Sequence, residues 1–143
     1  MPQKNKILVV DDESSNCEML KDFLASRFEG KVEVEVAYNG KEAVEKIEQS
    51  PQPDCVLLDI QMPVMDGLTA LPKLLEVDPT VKIVMSSTLT SRNAEISIRA
   101  LEAGATDYIP KPTSTSDISS GGDFRRELHD KVKNLGIARR HQV

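Results

Sequence analysis

The 143-residue sequence lacks the features that mark several common protein classes. Its 18 Lys and Arg residues are outnumbered by 23 Asp and Glu residues, so the chain has no basic surplus of the kind that binds nucleic acid or anionic membranes. No apolar run approaches the ~18 residues of a membrane span, and the N-terminal segment shows no signal pattern. We therefore expect a cytoplasmic protein whose main partners are neither nucleic acid nor membrane.

Metal-binding thiols and nucleotide-binding glycines are also missing. The two cysteines, Cys17 and Cys55, stand far apart with no C-x-x-C spacing and no histidine cluster beside them, which argues against a zinc site or a redox pair. A dinucleotide-binding module would show G-x-G-x-x-G after its first strand, where this sequence reads DDESSN. The cysteines are expected to be reduced and packed in the interior.

Short apolar runs predict the strands of a parallel sheet. Four runs have the length and composition of strands, at 6–10, 32–37, 55–59 and 81–86, and a shorter fifth lies at 106–110. Valine alternates with glutamate over 32–37, which indicates an edge strand with one wet side, whereas the other long runs are continuous and indicate strands covered on both faces.

Apolar residues at three- and four-residue steps predict helices between and after these strands. Pro72 would be awkward in the third helix unless that helix begins late, near Leu71. The fifth helix is marked by four apolar residues between an N-cap and a C-cap: Asp123, Phe124, Leu128, Val132, Leu135 and Gly136. The alternation predicts an α/β fold, a flavodoxin-like doubly wound five-stranded parallel sheet in strand order 2-1-3-4-5 with five helices.

Carboxylates stand where two of the predicted strands end. Asp11 and Asp12 follow the first strand, and Asp59 ends the third. Ligands of open parallel sheets bind at the carboxyl ends where the winding reverses, which for this order lies between strands one and three. Three carboxylates there repel one another unless a cation joins them, and Lys111 after the fifth strand leaves a local charge that one divalent ion would neutralise. Oxygen ligands of this kind fit Mg²⁺, with Mn²⁺ as the alternative.

The same acids also have a purely structural explanation. The acids at 11–13 precede a helix, where the helix dipole stabilises negative charge and Ser14 could serve as the cap. Asp59 could likewise cap the turn that follows it. The metal site is favoured because the acids fall on both strands that flank the predicted switch point.

Four segments, ILVVDDE, VLLDIQMPVMDG, IVMSST and GATDYIPKP, together resemble the receiver domain of two-component response regulators. The resemblance covers roughly 5–136 and leaves 137–143 as a tail or truncated linker. It implies that Asp59 is the phosphoacceptor, which takes a phosphoryl group from a histidine kinase. It also implies that Asp12, Asp59 and the main-chain carbonyl of Gln61 bind the metal, with Asp11 acting through water.

The resemblance further assigns the residues that sense the phosphoryl group. Ser87 takes the place of the hydroxyl residue that bonds this group, Lys111 pairs with it, and Tyr108 is the switch aromatic. Phosphoryl transfer needs an aligned nucleophile and positive charge on the equatorial oxygens, which Mg²⁺ and Lys111 would supply. The bound group would draw Ser87 toward it and leave space that Tyr108 fills by turning inward.

Four sequence segments resemble the receiver half of chemotaxis protein-glutamate methylesterases: MDGLTALPKLL, MSSTLT, AEISIRALEAGATDYIPKP and FRRELHDKVKNLG. That resemblance implies a chemotaxis kinase as donor and a methylesterase catalytic domain as the regulated partner. No G-x-S-x-G-like nucleophile turn follows Gly136, so this chain would be a regulatory fragment that is no enzyme beyond its own phosphorylation and dephosphorylation. The helix near 91–103, the strand of Tyr108 and the final helix would form the output face. A stand-alone receiver acting as an adaptor or phosphate sink is the alternative.

Two features separate the chain from other proteins. A haloacid-dehalogenase-type phosphatase also has an aspartyl nucleophile after a strand, but it carries a second acid where this chain has Gln61. The Ser- and Gly-rich segment 113–123 is longer than a plain strand-to-helix loop, which is ~2–6 residues.

Overall fold

Strands and helices alternate along the chain in the computed structural model, which describes residues 5–28, 32–49, 53–60, 62, 64–88, 91–111, 126–131 and 133. The elements are β1 (Asn5–Val10), α1 (Ser14–Arg27), β2 (Val32–Ala37), α2 (Gly40–Ile47), β3 (Cys55–Asp59), α3 (Gly67–Val77), β4 (Lys82–Thr88), α4 (Ser91–Glu102) and β5 (Asp107–Lys111). Helical residues at 126–131 and 133 form a fifth helix, α5.

The five strands form one parallel sheet in the order β2-β1-β3-β4-β5. This order confirms the predicted fold class and places the alternating Val/Glu strand β2 at an edge. Val10 of β1 is in register with Ala37 of β2 and Leu58 of β3, and Asp59 is in register with Ser86 of β4. The carboxyl ends of the neighbouring strands β1, β3 and β4 therefore lie close together at the carboxyl-terminal end of the sheet, which is called its carboxyl edge below.

Side chains that alternate along the central strands enter two separate cores, one on each face of the sheet. Leu8 and Leu58 pack in the core covered by α2, α3 and α4. Ile7 and Leu57 pack in the core covered by α1 and α5, to which α5 contributes the fully buried Leu128. This division explains why the runs in β1 and β3 are continuously apolar.

The third helix begins earlier than its proline indicated. It starts at Gly67, where the Asp66 carboxylate caps it by accepting the Thr69 main-chain N–H at 2.8 Å, so Pro72 lies inside the helix. An internal proline removes a helical hydrogen bond and costs ~3 kcal/mol or more. Leu71 and Leu74 are fully buried on the sheet, and this burial together with the cap offsets the cost.

Parts of the predicted C-terminal region lie outside the described residues. They are the segment 113–123 and the predicted helix and cap residues Asp123, Phe124, Val132, Leu135 and Gly136. Leu128, the fourth apolar residue of that pattern, is buried in helical backbone as predicted. Among the helices that the structure describes, none has the length and apolar character needed to traverse a bilayer.

Candidate functional site

Three carboxylates meet at the carboxyl edge of the sheet. Oxygen atoms of Asp11, Asp12 and Asp59 all lie within 4.8 Å of one another. Asp11 and Asp59 are buried, at 2% and 6% exposure, while Asp12 is exposed. The side chains converge because β1 and β3 are neighbours, and Val10 at the end of β1 is in register with Leu58, the residue before Asp59. The result is an acidic pocket that opens to solvent on the side of Asp12.

The donor set of this pocket suits a small, hard divalent cation. Carboxylates this close repel one another electrostatically, and two of the three are shielded from water. A cation that binds between them removes this repulsion. All three donors are oxygens, which Mg²⁺ and Mn²⁺ accept and which zinc and copper sites seldom use alone. Asp11, Asp12 and Asp59 could therefore hold such an ion, with Asp12 on the open side where water and a phosphate oxygen would complete the coordination.

Capping of α1 does not account for Asp11 and Asp12. In the described segment 5–28, helix α1 begins at Ser14, and the N-cap position is Glu13, whose side chain makes no capping hydrogen bond. Asp11 does have a structural role, because its Oδ1 accepts the main-chain N–H of Glu13 at 3.0 Å and fixes the turn after β1. Because the N-cap residue of α1 is Glu13, neither Asp11 nor Asp12 occupies the capping position of that helix, which favours the metal-site hypothesis for these two acids.

A tightly folded loop holds the backbone of Asp59 in place. Gly67, the first residue of α3, donates its N–H to the Ile60 carbonyl at 2.9 Å. A Cβ atom at Gly67 would stand 2.2 Å from the carbonyl oxygen of Asp59, far closer than any real contact. The start of α3 therefore rests directly on the strand end that carries the carboxylate. Sequence reasoning missed this role, although an Asp-Gly pair just before a helix was the available signal.

A second glycine ties this loop to its neighbour. Gly40, the first residue of α2, donates its N–H to the Met65 carbonyl at 3.0 Å. A Cβ atom there would stand 2.6 Å from that oxygen and 2.9 Å from Met65 Cγ. The loops after β2 and β3 are thus joined by a backbone contact that leaves no room for a side chain.

The same loop contains a strained residue. Val64 has φ +68°, in the left-handed region, and 78% of its surface is exposed. A β-branched residue is an outlier there, and such strain costs about 1–3 kcal/mol. Sequence reasoning did not single out Val64, because a conformational outlier leaves no mark in a hydrophobic pattern.

The predicted sensing hydroxyl and the predicted switch aromatic are in contact. Ser87 lies on β4 at 2% exposure, and its Oγ is 3.2 Å from the hydroxyl oxygen of half-buried Tyr108 on β5. The Tyr108 hydroxyl also lies 3.5 Å from the Ser87 carbonyl oxygen. The two residues can communicate directly, with Tyr108 already directed at Ser87 rather than away from it.

Two further residues of the predicted site are Lys111 and Gln61. Lys111 ends β5, and its backbone is in register with Thr88 of β4, at the same edge of the sheet as Asp59. The side chain of Lys111 and all of Gln61 lie outside the described residues. Their proposed contacts with the phosphoryl group and the metal rest on the resemblance.

The cysteines are packed thiols, as predicted. Cys17 and Cys55 are free and buried. Burial, with a smaller contribution from the negative charge of Asp54, raises the pKa of the Cys55 thiol to about 12. A thiol with this pKa is inert near neutral pH, because the thiolate is the nucleophile and the metal ligand.

Comparison with known proteins agrees with this architecture. A model of the response regulator receiver domain matches residues 7–120. The chain is 46% identical over 138 residues to a protein-glutamate methylesterase/protein-glutamine glutaminase of Paramagnetospirillum magneticum, covering 94% of this chain and 35% of that protein. It is 51% identical over 135 residues to a group 2 operon counterpart in Rhodospirillum centenum, covering 94% of this chain and 34% of that protein. The chain thus spans about a third of the length of the curated relatives it matches.

Solved structures give the same picture. The response regulator domain of Thermotoga maritima CheB superposes with a TM-score of 0.81 at 33% identity, covering 94% of this chain and 97% of that one. A CheY-like receiver domain protein from Methanospirillum hungatei superposes with a TM-score of 0.80 at 31% identity, covering 99% and 100%. The family model matches most of the chain, the sheet has the order 2-1-3-4-5, and an acidic cluster lies at its switch point. The chain therefore belongs to the response regulator receiver domain family.

Proposed function

We propose that this receiver domain accepts a phosphoryl group on Asp59 from a chemotaxis histidine kinase and thereby controls a methylesterase catalytic domain. The observation that supports this most directly is the cluster of Asp11, Asp12 and Asp59 at the switch point of the sheet. On this proposal the domain extends over 5–136, with 137–143 as a tail or linker, and works in the cytoplasm. The adaptor or phosphate-sink alternative is not favoured, because methylesterases match 94% of the chain.

The proposed chemistry is a displacement at phosphorus. A carboxylate oxygen of Asp59 attacks the phosphoryl group, a P–O bond forms, and the P–N bond to the histidine of the kinase breaks with the imidazole as leaving group. Mg²⁺ held by Asp12 and Asp59, with Asp11 acting through water, would supply positive charge beside the phosphoryl oxygens. Lys111 would pair with one of these oxygens, and the Ser87 hydroxyl would donate a hydrogen bond to another.

The test of phosphorylation is an intact-mass measurement. The chain incubated with acetyl phosphate and Mg²⁺ should gain one phosphoryl group, and it should gain none after chelation or in Asp59→Ala. Asp22→Ala, which removes an exposed acid on α1, is the matched control and should react like wild type. An adduct that persists in Asp59→Ala would refute the assignment of the phosphoacceptor.

The output surface is supported by an unusual distribution of side chains on α4. The buried residues of this helix are polar or small, namely Asn93, Ser97 and Ala100, while the partly buried Ile96 packs against the core. The outward side exposes apolar residues instead, with Ile98 at 59% and Leu101 at 44% exposure. A helix that places its large apolar groups in water has an apolar stripe available for a partner. We assign this stripe, next to the strand that carries Tyr108, to the contact with the methylesterase domain.

The test of output uses a separate methylesterase catalytic domain. The unmodified chain should inhibit hydrolysis of receptor methyl esters, phosphorylation should relieve the inhibition, and Asp59→Ala should inhibit whether or not donor is present. Ile98→Ser with Leu101→Ser should weaken inhibition, since the double variant removes the apolar stripe without altering the buried side of α4. A chain that neither binds nor inhibits the catalytic domain, yet is phosphorylated rapidly, would instead support the adaptor reading.

A further inference from the structure

Two exposed apolar side chains stand at the carboxyl edge of the sheet, away from the output helix. Among the described residues, the exposed large hydrophobic side chains are Tyr38, Val64, Ile98 and Leu101. Ile98 and Leu101 belong to the stripe on α4. Tyr38 follows β2 and Val64 lies in the loop after β3, so both are at the end of the sheet that holds the acidic pocket.

The backbone fixes these two residues on either side of the pocket. β1 lies between β2 and β3 in the sheet, so the loops that carry Tyr38 and Val64 flank the turn that carries the exposed Asp12. The contact between Gly40 and Met65 joins the two loops directly, two residues after Tyr38 and one residue after Val64. Tyr38 and Val64 therefore belong to one braced edge of the pocket, which we call the apolar rim.

The folded chain gives no reason for a valine at position 64. Its side chain is 78% exposed, so it contributes little to either core, and its positive φ is one that glycine or asparagine would adopt with less strain. A strained residue that the fold does not require is a candidate for a contact made with another molecule.

We propose that the apolar rim is a recognition surface for the protein that donates the phosphoryl group, and this proposal rests on the function assigned to Asp59. Asp59 is only 6% exposed, and a histidine side chain is short, so the donor surface must press on the loops around the pocket to deliver its phosphoryl group. Apolar contacts beside a polar reacting centre exclude water from it and contribute affinity through burial. A small phosphodonor reaches Asp59 without touching the rim.

The experiment compares two donors on the same 143-residue chain. Val64→Gly removes the side chain but keeps the left-handed backbone accessible, so folding is preserved. The protein donor is a phosphorylated histidine-phosphotransfer domain at subsaturating concentration. With it, Val64→Gly should lower kcat/KM by about tenfold, as expected for loss of one good interface contact. Tyr38→Ala should lower kcat/KM by more than Val64→Gly does. With acetyl phosphate, both variants should react within about twofold of wild type, a change too small to indicate lost transition-state stabilisation. Val64→Ile should keep the wild-type rate with both donors.

The control and the contrary outcomes separate this proposal from its alternatives. Glu33→Ala trims an exposed side chain at the amino end of β2, the end opposite Tyr38, and should not change the rate with the phosphotransfer domain. An unchanged rate in Val64→Gly, or an equal loss with both donors, would overturn the proposal. Altered inhibition of the catalytic domain or an altered oligomeric state, with normal donor kinetics, would assign the rim to the output partner or to a second copy of the chain. A wild-type chain that fails with acetyl phosphate would refute the proposed function itself.

Discussion

Replacing Gly67 with alanine tests how strictly the fold positions the phosphoacceptor. The new Cβ would stand 2.2 Å from the carbonyl oxygen of Asp59 and 3.0 Å from both Asp59 C and Ile60 Cα, all of them backbone atoms that no rotamer change can move. Relieving the clash requires the start of α3 and the end of β3 to separate by about 1 Å. A displacement of ~1 Å at a reacting group can cost ~10²-fold in rate. Overpacking costs ~1–3 kcal/mol, against a gain of ~1 kcal/mol in helix propensity.

We therefore expect Gly67→Ala to lower the free energy of unfolding by up to about 2 kcal/mol and to slow phosphorylation by acetyl phosphate by about 10²-fold. The chain has no tryptophan, so urea unfolding is best followed by circular dichroism, and phosphorylation by quenched intact-mass measurement. Gly40→Ala is the matched control, because its Cβ meets Met65 and Ala70 rather than Asp59. It should cost similar stability with a much smaller loss of rate. A Gly67→Ala chain as reactive as Gly40→Ala would refute the positioning argument.

Three further predictions concern stability and the switch. The pKa of the Cys55 thiol rises from 9.0 to about 12 on folding. Its contribution to stability is therefore fully present below pH 9 and is lost as the pH rises toward 12. The urea midpoint should fall more steeply across this range in wild type than in Cys55→Ala. A double-mutant cycle of Ser87→Ala and Tyr108→Phe should give a coupling energy of about 0.5–1.5 kcal/mol, and a value near zero would show that their 3.2 Å contact is not a working hydrogen bond. Lys131→Ala, which breaks a 2.7 Å ion pair with the partly exposed Asp107, should cost less than about 1 kcal/mol in urea unfolding, and a loss several times larger would mean that the pair anchors α5.

The fold was predictable because its strands and helices differ in hydrophobic period. β2 and β3 were predicted with the bounds that the structure shows, since each is an uninterrupted apolar or alternating run. β4 was predicted to end at 86 but continues to Thr88, because Ser87 and Thr88 stay in the ladder opposite Pro110 and Lys111. Ser87 and Thr88 are polar, so the apolar pattern does not include them. Their backbones still pair with β5, because backbone pairing does not depend on the polarity of the side chain. The extension matters because it carries the proposed sensing hydroxyl.

The acidic cluster was also predictable, whereas the residues that shape it were not. Asp11, Asp12 and Asp59 were assigned to one edge because strand order and register bring strand ends together, and the structure places them there. Gly67 and Val64 act through backbone geometry, as a close approach and a positive φ. Neither property follows from hydrophobic periodicity, so both required the three-dimensional structure.

The anchoring of β5 limits how a signal from Asp59 could leave the pocket. Tyr108 donates its main-chain N–H to Asp107 Oδ1 at 2.7 Å, and Lys131 of α5 donates to Asp107 Oδ2 at 2.7 Å. Because its backbone is paired to β4, Tyr108 can respond to a displaced Ser87 mainly by rotating its side chain, since moving the strand would break this pairing. α4 buries less apolar area than α3, since α3 contributes the fully buried Leu71 and Leu74 whereas α4 contributes Ala100 and the partly buried Ile96. On the proposed function, a rotation of Tyr108 would therefore shift α4 more readily than β5, and the apolar stripe of α4 is where a partner would detect it.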